Sequence, residues 1–526
     1  MRRVSTFLLG SLLALSLANP SRANGRFPRA ERLLEDATDA DHLVLAATYG
    51  LLVTRDRGLN WYHVCEASFA EPDVQTDPVA AITGSGALLT SINSMLTRSE
   101  PDACDFSASL GDSADDGVPD FTLSRAAAER VVAVRVSTAP DGSVVNQLHV
   151  SEDDGRTFAP LGPPLPSSIR LVATVDVAPS DASRIYVSGL AEDRSGVVLR
   201  SQDGGQSFVA TALATNASES ETPYIAAVDP NDADILYVRT DLWEYDDVDG
   251  LDFAYDALYF SDDGGASFRE VFRTDAKLYG FALAPDGDSV LLGYGDPVDG
   301  GGRYVIPEAL GIYASTTVNG EFSFTKIFAE SVTCLTYSST GLYACAAQSR
   351  SGFELGVRAD ADFTLETAEP FTPLLDLAEV RGPLECPACS TGARCADSWR
   401  DTCLRLGAQN CDGPSDGSGG APECTSAGGA GGDAAGGAAR ASGGAGNGDG
   451  GAENGSETGG ANGAAESGRA GESESGRAGL PGANPGFERD SGCGCRLGAV
   501  PATERAGVLA LLSAAFVLFR RRRLRA

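Results

Sequence analysis

Two stretches of the chain concentrate side chains that could hold a ligand. Residues 241–256 read DLWEYDDVDGLDFAYD, and residues 296–310 read DPVDGGGRYVIPEAL. Aromatic rings stack on sugars or peptides, while carboxylates hold cations or sugar hydroxyl groups. The candidate ligand-binding residues are therefore Trp243, Tyr245, Asp246, Asp247, Asp249, Asp252, Tyr255, Asp299, Arg303 and Tyr304. The alternative is that both stretches are solvated acidic loops whose aromatic rings pack on the rim of the fold.

Motifs for catalysis or metal binding are weak by comparison. GPSDG at 413–417 has the spacing of a serine nucleophile elbow, but no strand precedes it and no helix follows it. DVDG at 247–250 begins like an EF-hand loop and lacks the remaining calcium ligands. The chain has three histidines, none of them spaced as a ligand pair. We therefore predict no catalytic residue, metal ligand or cofactor, although spacing alone cannot select a pair among the many carboxylates.

One repeated nonapeptide indicates how such loops are positioned. It reads RSQDGGQSF at 200–208 and recurs with changes at 150–158 and 260–268, and in weaker form at 54–61. The acidic residue can accept backbone N–H bonds across a tight turn, and the glycine two residues later supplies backbone freedom. The turn residues are Asp56, Gly58, Trp61, Asp153, Gly155, Phe158, Asp203, Gly205, Phe208, Asp263, Gly265 and Phe268.

This pattern, S/T-x-D-x-G-x-T/S-F/W, resembles the Asp box of BNR-repeat proteins, the sialidase-like and Vps10-like β-propellers. The resemblance implies a turn between the third and fourth strands of each blade, with the aromatic residue between sheets. It also raises sialidase activity as a hypothesis. The R-I-P motif that should precede the first box is missing, since the nearest string is RYVIP at 303–307. No catalytic residue is therefore carried over.

A second repeat predicts strand pairs. Residues 175–189, 226–238 and 281–293 each read as a short apolar strand, a turn and another strand, and 80–92 and 333–347 are less regular versions. Third strands are taken to start near Thr54, Thr97, Ser151, Ser201, Ser261, Ser315 and Arg358, at spacings of 43 to 60 residues. These spacings predict seven four-stranded blades, with six or eight as alternatives. The ring could close through a strand near 28–35 or one near 371–377.

The N-terminus and the charge balance constrain the compartment and the partners. Residues 1–23 read as a signal peptide, with Arg2 and Arg3 before the apolar run FLLGSLLALSLA. Export to an oxidising compartment favours disulfides over zinc for the twelve cysteines. The net charge of -33 argues against nucleic acid or an anionic membrane surface as a partner.

Several cysteine pairs are suggested by position. Cys334 and Cys345 flank the turn SSTG symmetrically, so in an antiparallel hairpin they lie opposite each other and can form a disulfide. Cys65 and Cys104 could link the outer strands of neighbouring blades. Residues 386–424 contain six further cysteines and predict a small disulfide-rich segment with fifteen alternative connectivities.

The last part of the chain reads as a spacer and a tail. Residues 425–490 contain almost no aromatic or β-branched residues and predict a disordered linker. Residues 491–526 combine GCGC, a short apolar helix and an arginine cluster, and they resemble the MYXO-CTERM sorting domain of myxobacterial surface proteins. The resemblance implies membrane anchoring and processing by a sorting peptidase near Cys493 and Cys495. An ordinary single-pass anchor is the alternative.

Together these features predict an all-β chain with one β-propeller over residues 28–377, followed by the disulfide-rich segment, the linker and a C-terminal hydrophobic helix. We expect an exported, cell-surface-anchored module that binds an extracellular glycan, peptide or matrix component. The alternatives are a glycoside hydrolase with unrecognised carboxylates and a non-catalytic assembly or scaffold factor. The hydrolase alternative requires acidic and arginine side chains to converge in the central channel.

Overall fold

The computed structural model describes residues 29–411, except for 71–76, 93–94, 112–116, 128, 168, 214–220, 247–249, 285–286, 297–306, 317–319, 339, 359–369 and 409–410. The chain divides into two units. All described residues belong to one of them, and the other, residues 423–487, lies outside the described part. The predicted signal peptide, linker and sorting tail also lie outside the described residues.

Strands dominate the described residues and pair in chain order into seven antiparallel sheets of four consecutive strands each. The first four sheets are β1 (Ala30–Glu35), β2 (Leu43–Ala47), β3 (Gly50–Thr54) and β4 (Tyr62–Val64); β5 (Val79–Ile82), β6 (Leu88–Ile92), β7 (Met95–Ser99) and β8 (Phe106–Leu110); β9 (Phe121–Leu123), β10 (Val131–Thr138), β11 (Val144–Ser151) and β12 (Ala159–Pro160); and β13 (Ile169–Val177), β14 (Ile185–Ala191), β15 (Gly196–Ser201) and β16 (Val209–Ala212).

The remaining three sheets follow the same order. They are β17 (Glu221–Val228), β18 (Leu236–Asp246), β19 (Gly250–Ser261) and β20 (Arg269–Thr274); β21 (Lys277–Leu283), β22 (Ser289–Gly295), β23 (Gly311–Thr316) and β24 (Thr325–Phe328); and β25 (Val332–Ser338), β26 (Gly341–Ala346), β27 (Leu355–Arg358) and β28 (Thr372–Leu375). Each of the five sequence hairpins lies at the first and second strands of a sheet.

Helices are short in this part of the chain. They are α1 (Gln348–Ser351), α2 (Cys395–Leu406) and the 3-10 turns Glu66–Ser68, Pro307–Ala309, Leu377–Glu379 and Thr391–Arg394. Gly407 follows α2 in the left-handed conformation, with φ at 69°, and ends it. Among the residues that the structure describes, no helix is long and apolar enough to cross a membrane.

The sheets are the blades of a ring. The first strands of most neighbouring sheets contact one another, and β1 of the first sheet lies against β25 of the last. The described core consists of seven apolar clusters, one at each junction between neighbouring sheets. The predicted all-β, seven-bladed β-propeller is therefore confirmed.

Burial follows the position of a strand within its blade. The second strands β2 and β6, with sequences LVLAA and LLTSI, are buried at every residue because neighbouring blades cover both of their faces. The outer strand β16, with sequence VATA, is mostly exposed. Apolar runs thus identify the inner hairpins from the sequence, whereas the short outer strands leave little signal.

The repeated turns join the third and fourth strands of blades 1, 3, 4 and 5. In blade 4, the Ser201 hydroxyl donates to Asp203 Oδ1 at 2.8 Å and accepts from the Gly205 N–H at 2.8 Å. Asp203 also accepts from the backbone and side chain of Ser207, at 2.9 and 2.6 Å. These bonds to Ser207 and Ser201 lower the pKa of Asp203 to about 2. The other three turns repeat the same bonds.

The glycine of a repeated turn lets the backbone approach the preceding blade. Gly155 has φ at +79°, and a Cβ there would lie 2.8 Å from Leu89 Cδ2 in blade 2. Gly58, with φ at +87°, would meet the Leu374 side chain of blade 7 at 2.9 Å, across the junction that closes the ring. The turn aromatics pack at the same junctions, and they are Trp61, Phe158, Phe208 and Phe268. Each repeated turn therefore fixes two blades relative to each other.

Two points of topology were left open or misjudged in the sequence analysis. Thr54, Ser151, Ser201 and Ser261 end the third strands rather than start them, because the repeated turn follows the strand. The ring closes without a blade shared between the two ends of the propeller, since β1 is the inner strand of blade 1 and β28 the outer strand of blade 7.

Side chains of blade 7 bind the backbone of β1 where the ring closes. Glu354 accepts from the Ala30 N–H at 2.7 Å, and the Thr333 hydroxyl donates to the Ala30 carbonyl at 2.8 Å. Thr336 donates to the Leu33 carbonyl at 3.1 Å. Burial raises the pKa of Glu354 to about 7, although its backbone hydrogen bonds favour the charged form. The inner edge of the last junction is thus closed by hydrogen bonds.

The outer edge is closed by residues 376–411, which we call the strap. Disulfides join Cys65 to Cys395 and Cys104 to Cys386, so the strap is bonded to blades 1 and 2. The predicted pairing of Cys65 with Cys104 is wrong. Both cysteines instead bond to residues that lie about 300 positions away in sequence, at separations of 330 and 282.

Other disulfides are local. Cys334 bonds to Cys345 across the β25–β26 pair, where the two residues are register partners, as predicted. Cys403 bonds to Cys411 within the strap. The expectation of a separate disulfide-rich segment over 386–424 is corrected for its described part, because two of its cysteines bond to the propeller itself.

The contact between repeated turns and preceding blades predicts unequal effects of two glycine substitutions. Gly142→Ala places a Cβ at φ +85° in open space, so we expect a loss of about 1 kcal/mol in unfolding free energy. Gly155→Ala adds the clash with Leu89, and we expect a loss of about 2–4 kcal/mol. Urea unfolding of both variants measures the difference, and equal losses would show that the turn does not press on blade 2.

Candidate functional site

The propeller has two faces with different connections. The turns between first and second strands share one face with the repeated turns, and we call it the turn face. In blades 4 and 5 these turns are hydrogen-bonded to each other, Gly204 to Ser183 and Gly264 to Asp234, both at 2.9 Å. Because the strands are antiparallel, the connections between second and third strands lie on the opposite face, which we call the loop face.

Blade 5 extends beyond its own sheet at the loop face. Strand β17 begins at Glu221, opposite Leu242, and β20 ends at Thr274, opposite Asp256. Beyond these residues, and within the part of the chain that the structure describes, β18 and β19 pair only with each other, through four register pairs that end at Asp246 and Gly250. Four residues of strand add about 13 Å. We call residues 243–255 the blade 5 hairpin.

The predicted loop at 241–256 is therefore largely β-structure. Trp243, Tyr245 and Asp246 lie in β18, and Asp252 and Tyr255 lie in β19. A backbone that continues the strand pairing satisfies its own N–H and C=O groups, which an irregular loop of this length would not do. The remaining candidates, which are Asp247, Asp249, Asp299, Arg303 and Tyr304, lie outside the described residues.

A buried ionic cluster fixes the base of the blade 5 hairpin. Lys277 of blade 6 is fully buried, and its Nζ lies 2.7 Å from Asp241 Oδ2 in β18. Asp256 of β19 is also buried and accepts from the Leu278 N–H at 2.6 Å. Both strands of the hairpin are thus held to the first strand of blade 6. Removing one member of such a pair leaves an uncompensated buried charge.

Burial also decides the protonation of this cluster. It raises the pKa of Asp256 to about 7, with Lys277 opposing the shift and Asp241 adding to it. Asp256 Oδ1 and the Tyr294 hydroxyl are both buried without a hydrogen-bond partner in the described part of the chain. We interpret this cluster as a support for the hairpin, since solvent does not reach its carboxylates.

Tyr255 connects the hairpin to the rest of blade 5. Its hydroxyl donates to Glu221 Oε2 at 3.2 Å, and the Arg273 guanidinium lies 3.8 Å from the centre of its ring. Arg273 is itself paired with Glu270, whose hydrogen bond raises the pKa of the guanidinium. One face of the Tyr255 ring is therefore covered by a cation, and that face does not offer the stacking surface that the sequence suggested.

A second polar group lies at the inner strands of blades 3 and 4 and was not found from the sequence. Asp176 in β13 accepts from the Thr122 hydroxyl in β9 at 3.1 Å and from the Val177 N–H at 2.9 Å, both at Oδ1. Asp120, just before β9, accepts from the Val175 N–H at 2.8 Å. Two carboxylates from adjacent blades are therefore close to the central channel, and both are half-buried.

The protonation of Asp176 reflects this setting. Burial raises its pKa to about 6, and the charge of Asp120 raises it further, whereas the Thr122 hydrogen bond and Arg32 lower it. Arg32 is the exposed residue of β1, the inner strand of blade 1. Because blades 1 and 4 are not neighbours in the ring, this interaction crosses the channel. Arg32 therefore belongs to the electrostatic surroundings of Asp176.

Sequence reasoning missed this group because its members are far apart in the chain. Asp176 was read only as part of the strand pair at 175–189, and Asp120 belongs to no repeat. The available signal was a charged residue within the first strand of a blade, since such strands line the channel. No group of three or more His, Cys, Asp or Glu side chains that could hold a metal ion occurs among the described residues.

Comparison with known proteins assigns the chain to no family. No family profile matches the chain, and no curated protein matches it. Among solved structures it is similar to an ancestral GH74 enzyme, at 16% identity and a TM-score of 0.42 over 60% of this chain and 40% of that chain. Others are the Niastella koreensis GH74 enzyme, at 13% and 0.33 over 64% and 44%, and YCF48 bound to D1 peptide, at 14% and 0.33 over 50% and 74%.

This chain corresponds to only part of the two GH74 enzymes. The chain spans less than half the length of either GH74 enzyme.

The raised pKa of Asp176 predicts that this residue destabilises the fold at neutral pH. Because the folded protein holds the proton up to about pH 6 and the unfolded chain only to 3.8, stability falls as pH rises between these values. We expect Asp176→Asn to equal the wild type at pH 4 and to be more stable at pH 8 by up to about 3 kcal/mol.

Urea unfolding at the two pH values tests this expectation. Asp193→Asn is the matched control, because Asp193 is exposed and its pKa is lowered by hydrogen bonds from Ser195. The control should gain no stability at pH 8. A difference between Asp176→Asn and the wild type that does not widen with pH would contradict the assignment.

Proposed function

We propose that this chain is an exported, surface-anchored β-propeller of the BNR/Asp-box class that binds an extracellular glycan, peptide or matrix component at its loop face. Disulfides support export, because four of them join pairs of described cysteines and such bonds persist in oxidising compartments. The repeated turns support the class, since all four make the same Ser/Thr, Asp and Gly hydrogen bonds. Anchoring rests on the tail at residues 491–526, with its resemblance to the MYXO-CTERM domain.

One observation carries the binding proposal, and it is the blade 5 hairpin. Its strands continue beyond the sheet by four register pairs, and its sequence contains three of the candidate aromatic residues, Trp243, Tyr245 and Tyr255. A two-stranded hairpin without further support is marginally stable in water. Here the buried Lys277–Asp241 pair and the Asp256 bond to Leu278 anchor its base, so the extension is held in a defined direction. Preorganised recognition elements lose less entropy on binding.

Trimming the hairpin tests this proposal. Leu242 and Tyr255 are register partners, so replacing residues 243–254 by Asn-Gly should close a two-residue turn without disturbing the sheet. We expect the full-length protein to bind on a glycan array or a peptide library, and the trimmed variant to lose about tenfold or more in affinity.

The matched control trims another connection on the same face. Thr138 and Val144 are partners in blade 3, so Asn-Gly can replace residues 139–143 in the same way. This variant should bind like the wild type. If trimming blade 5 leaves affinity unchanged while the ligand still binds, the loop-face hairpin is not the site.

A second candidate function, glycoside hydrolysis, is favoured by the channel group. Glycosidases use one carboxylic acid with a raised pKa and a second carboxylate close to it. Asp176 would be the proton donor, because it keeps its proton to about pH 6, and Asp120 would be the second carboxylate. Thr122, which donates to Asp176 Oδ1, would orient the acid. The third alternative, an assembly or scaffold factor, has no such observation behind it.

This candidate predicts a specific pH dependence. Hydrolysis of a panel of polysaccharides and aryl glycosides should fall as pH rises through about 6, because Asp176 then loses its proton. Asp176→Asn and Asp120→Asn should each reduce the rate by at least about a hundredfold, and the Asp193→Asn control should retain it. Absence of hydrolysis in the wild type, or activity in Asp176→Asn, rejects the hydrolase.

A further inference from the structure

The strap continues the outer edge of blade 1. Residue 383 forms a parallel bridge with His63. The His63 N–H donates to the Gly382 carbonyl, and the Leu384 N–H donates to the His63 carbonyl, both at 2.8 Å. The Trp61 carbonyl accepts from the Arg381 N–H at 3.0 Å. The segment that follows blade 7 therefore pairs with β4, the last strand of blade 1.

The strap also reaches blade 2 and the apolar core. The Gly392 N–H donates to the Cys104 carbonyl at 2.7 Å, and the Phe106 N–H of β8 donates to the Thr391 hydroxyl at 2.9 Å. Helix α2 buries Trp399 and Leu406 in the cluster between blades 7 and 1. The strap thus touches the first two blades and the last junction of the ring.

Two disulfides make this contact covalent. Cys65–Cys395 and Cys104–Cys386 have sequence separations of 330 and 282 residues, so each encloses most of the propeller. Cys334–Cys345 lies within blade 7 and Cys403–Cys411 within the strap, at separations of 11 and 8. Among the disulfides with both cysteines described, only the first two connect the start of the ring to its end. The strap already pairs with β4 at residue 383, and these two disulfides fix it covalently to blades 1 and 2.

We infer that the Cys65–Cys395 and Cys104–Cys386 bonds are a redox latch, and that the propeller closes stably only when at least one of them has formed. Each bond arises from two thiols of the chain and one disulfide of an external oxidant. The two thiolates replace the oxidant's sulfur–sulfur bond by exchange, the chain loses two electrons and two protons, and the oxidant leaves as two thiols. A dithiol reductant reverses each step. The inference is independent of ligand binding.

Hydrogen exchange of the full-length protein, followed by mass spectrometry, tests the latch. In a variant with serine at Cys65, Cys104, Cys386 and Cys395, we expect the amides of β1 and β25 to exchange at least about tenfold faster than in the oxidised wild type. The amides of β14 and β18, far from the junction, should keep their rates. The matched control, Cys403→Ser with Cys411→Ser, removes a strap disulfide that does not cross the ring and should exchange like the wild type.

Two further variants keep the test decisive if the four-serine variant does not fold. Cys65→Ser with Cys395→Ser, and Cys104→Ser with Cys386→Ser, each retain one cross-ring bond. We expect both to protect β1 and β25 until dithiothreitol opens the remaining bond, and to regain protection with oxidised glutathione. Two results would overturn the latch. One is slow exchange of the β1 and β25 amides in the four-serine variant. The other is slow exchange of the same amides in either pair variant after reduction, at the rate seen in the Cys403→Ser, Cys411→Ser control.

Discussion

Contact between neighbouring blades is the interaction on which the rest of this structure depends. A four-stranded blade has two apolar faces, and each can be buried only against the blade on that side. The core is accordingly divided into seven clusters, one for each junction. Six junctions join blades that are consecutive in the chain, so a short connection holds them together. The seventh junction is formed by residues more than 300 positions apart. The hydrogen bonds from Glu354 and Thr333 to Ala30 and the Cys65–Cys395 disulfide lie there.

The repeated turns serve this requirement. Within each turn the serine or threonine hydroxyl donates to the aspartate carboxylate and accepts from the glycine N–H. The glycine, which has no Cβ, also lets the turn backbone lie against the preceding blade. At Gly58 that blade is the seventh, and Leu374 lies under the turn. The aspartate carboxylate accepts hydrogen bonds from residues of its own turn. These bonds lower the pKa of Asp203 although the residue is exposed. The motif that dominates the sequence therefore concerns architecture, and ligand recognition has to be sought on other connections.

How far the sequence predicted the structure follows from the range of each interaction. The blades and the Cys334–Cys345 pair depend on residues within one hairpin, so their spacing was sufficient to find them. The partners of Cys65 and Cys104 and the channel group could not be found, because they join segments whose proximity exists only in the closed ring. The blade 5 hairpin was located correctly and misread as a loop. Its composition is acidic and aromatic, and only the pairing of β18 with β19 reveals that the strands continue.

Three carboxylates with raised pKa values show how structural and functional acids differ in this protein. Glu354 and Asp256 are both buried, and each accepts a backbone N–H from the neighbouring blade, from Ala30 and Leu278 respectively. Their burial is explained by the junctions that they hold. Asp176 differs, because both of its described hydrogen bonds reach Oδ1 and the residue is only half-buried beside the channel. Its bond to Thr122 joins blades 3 and 4 through Oδ1, and the structure gives no hydrogen bond from a described residue to its second oxygen. Asp176 is therefore the acid to which the glycosidase candidate gives the role of proton donor.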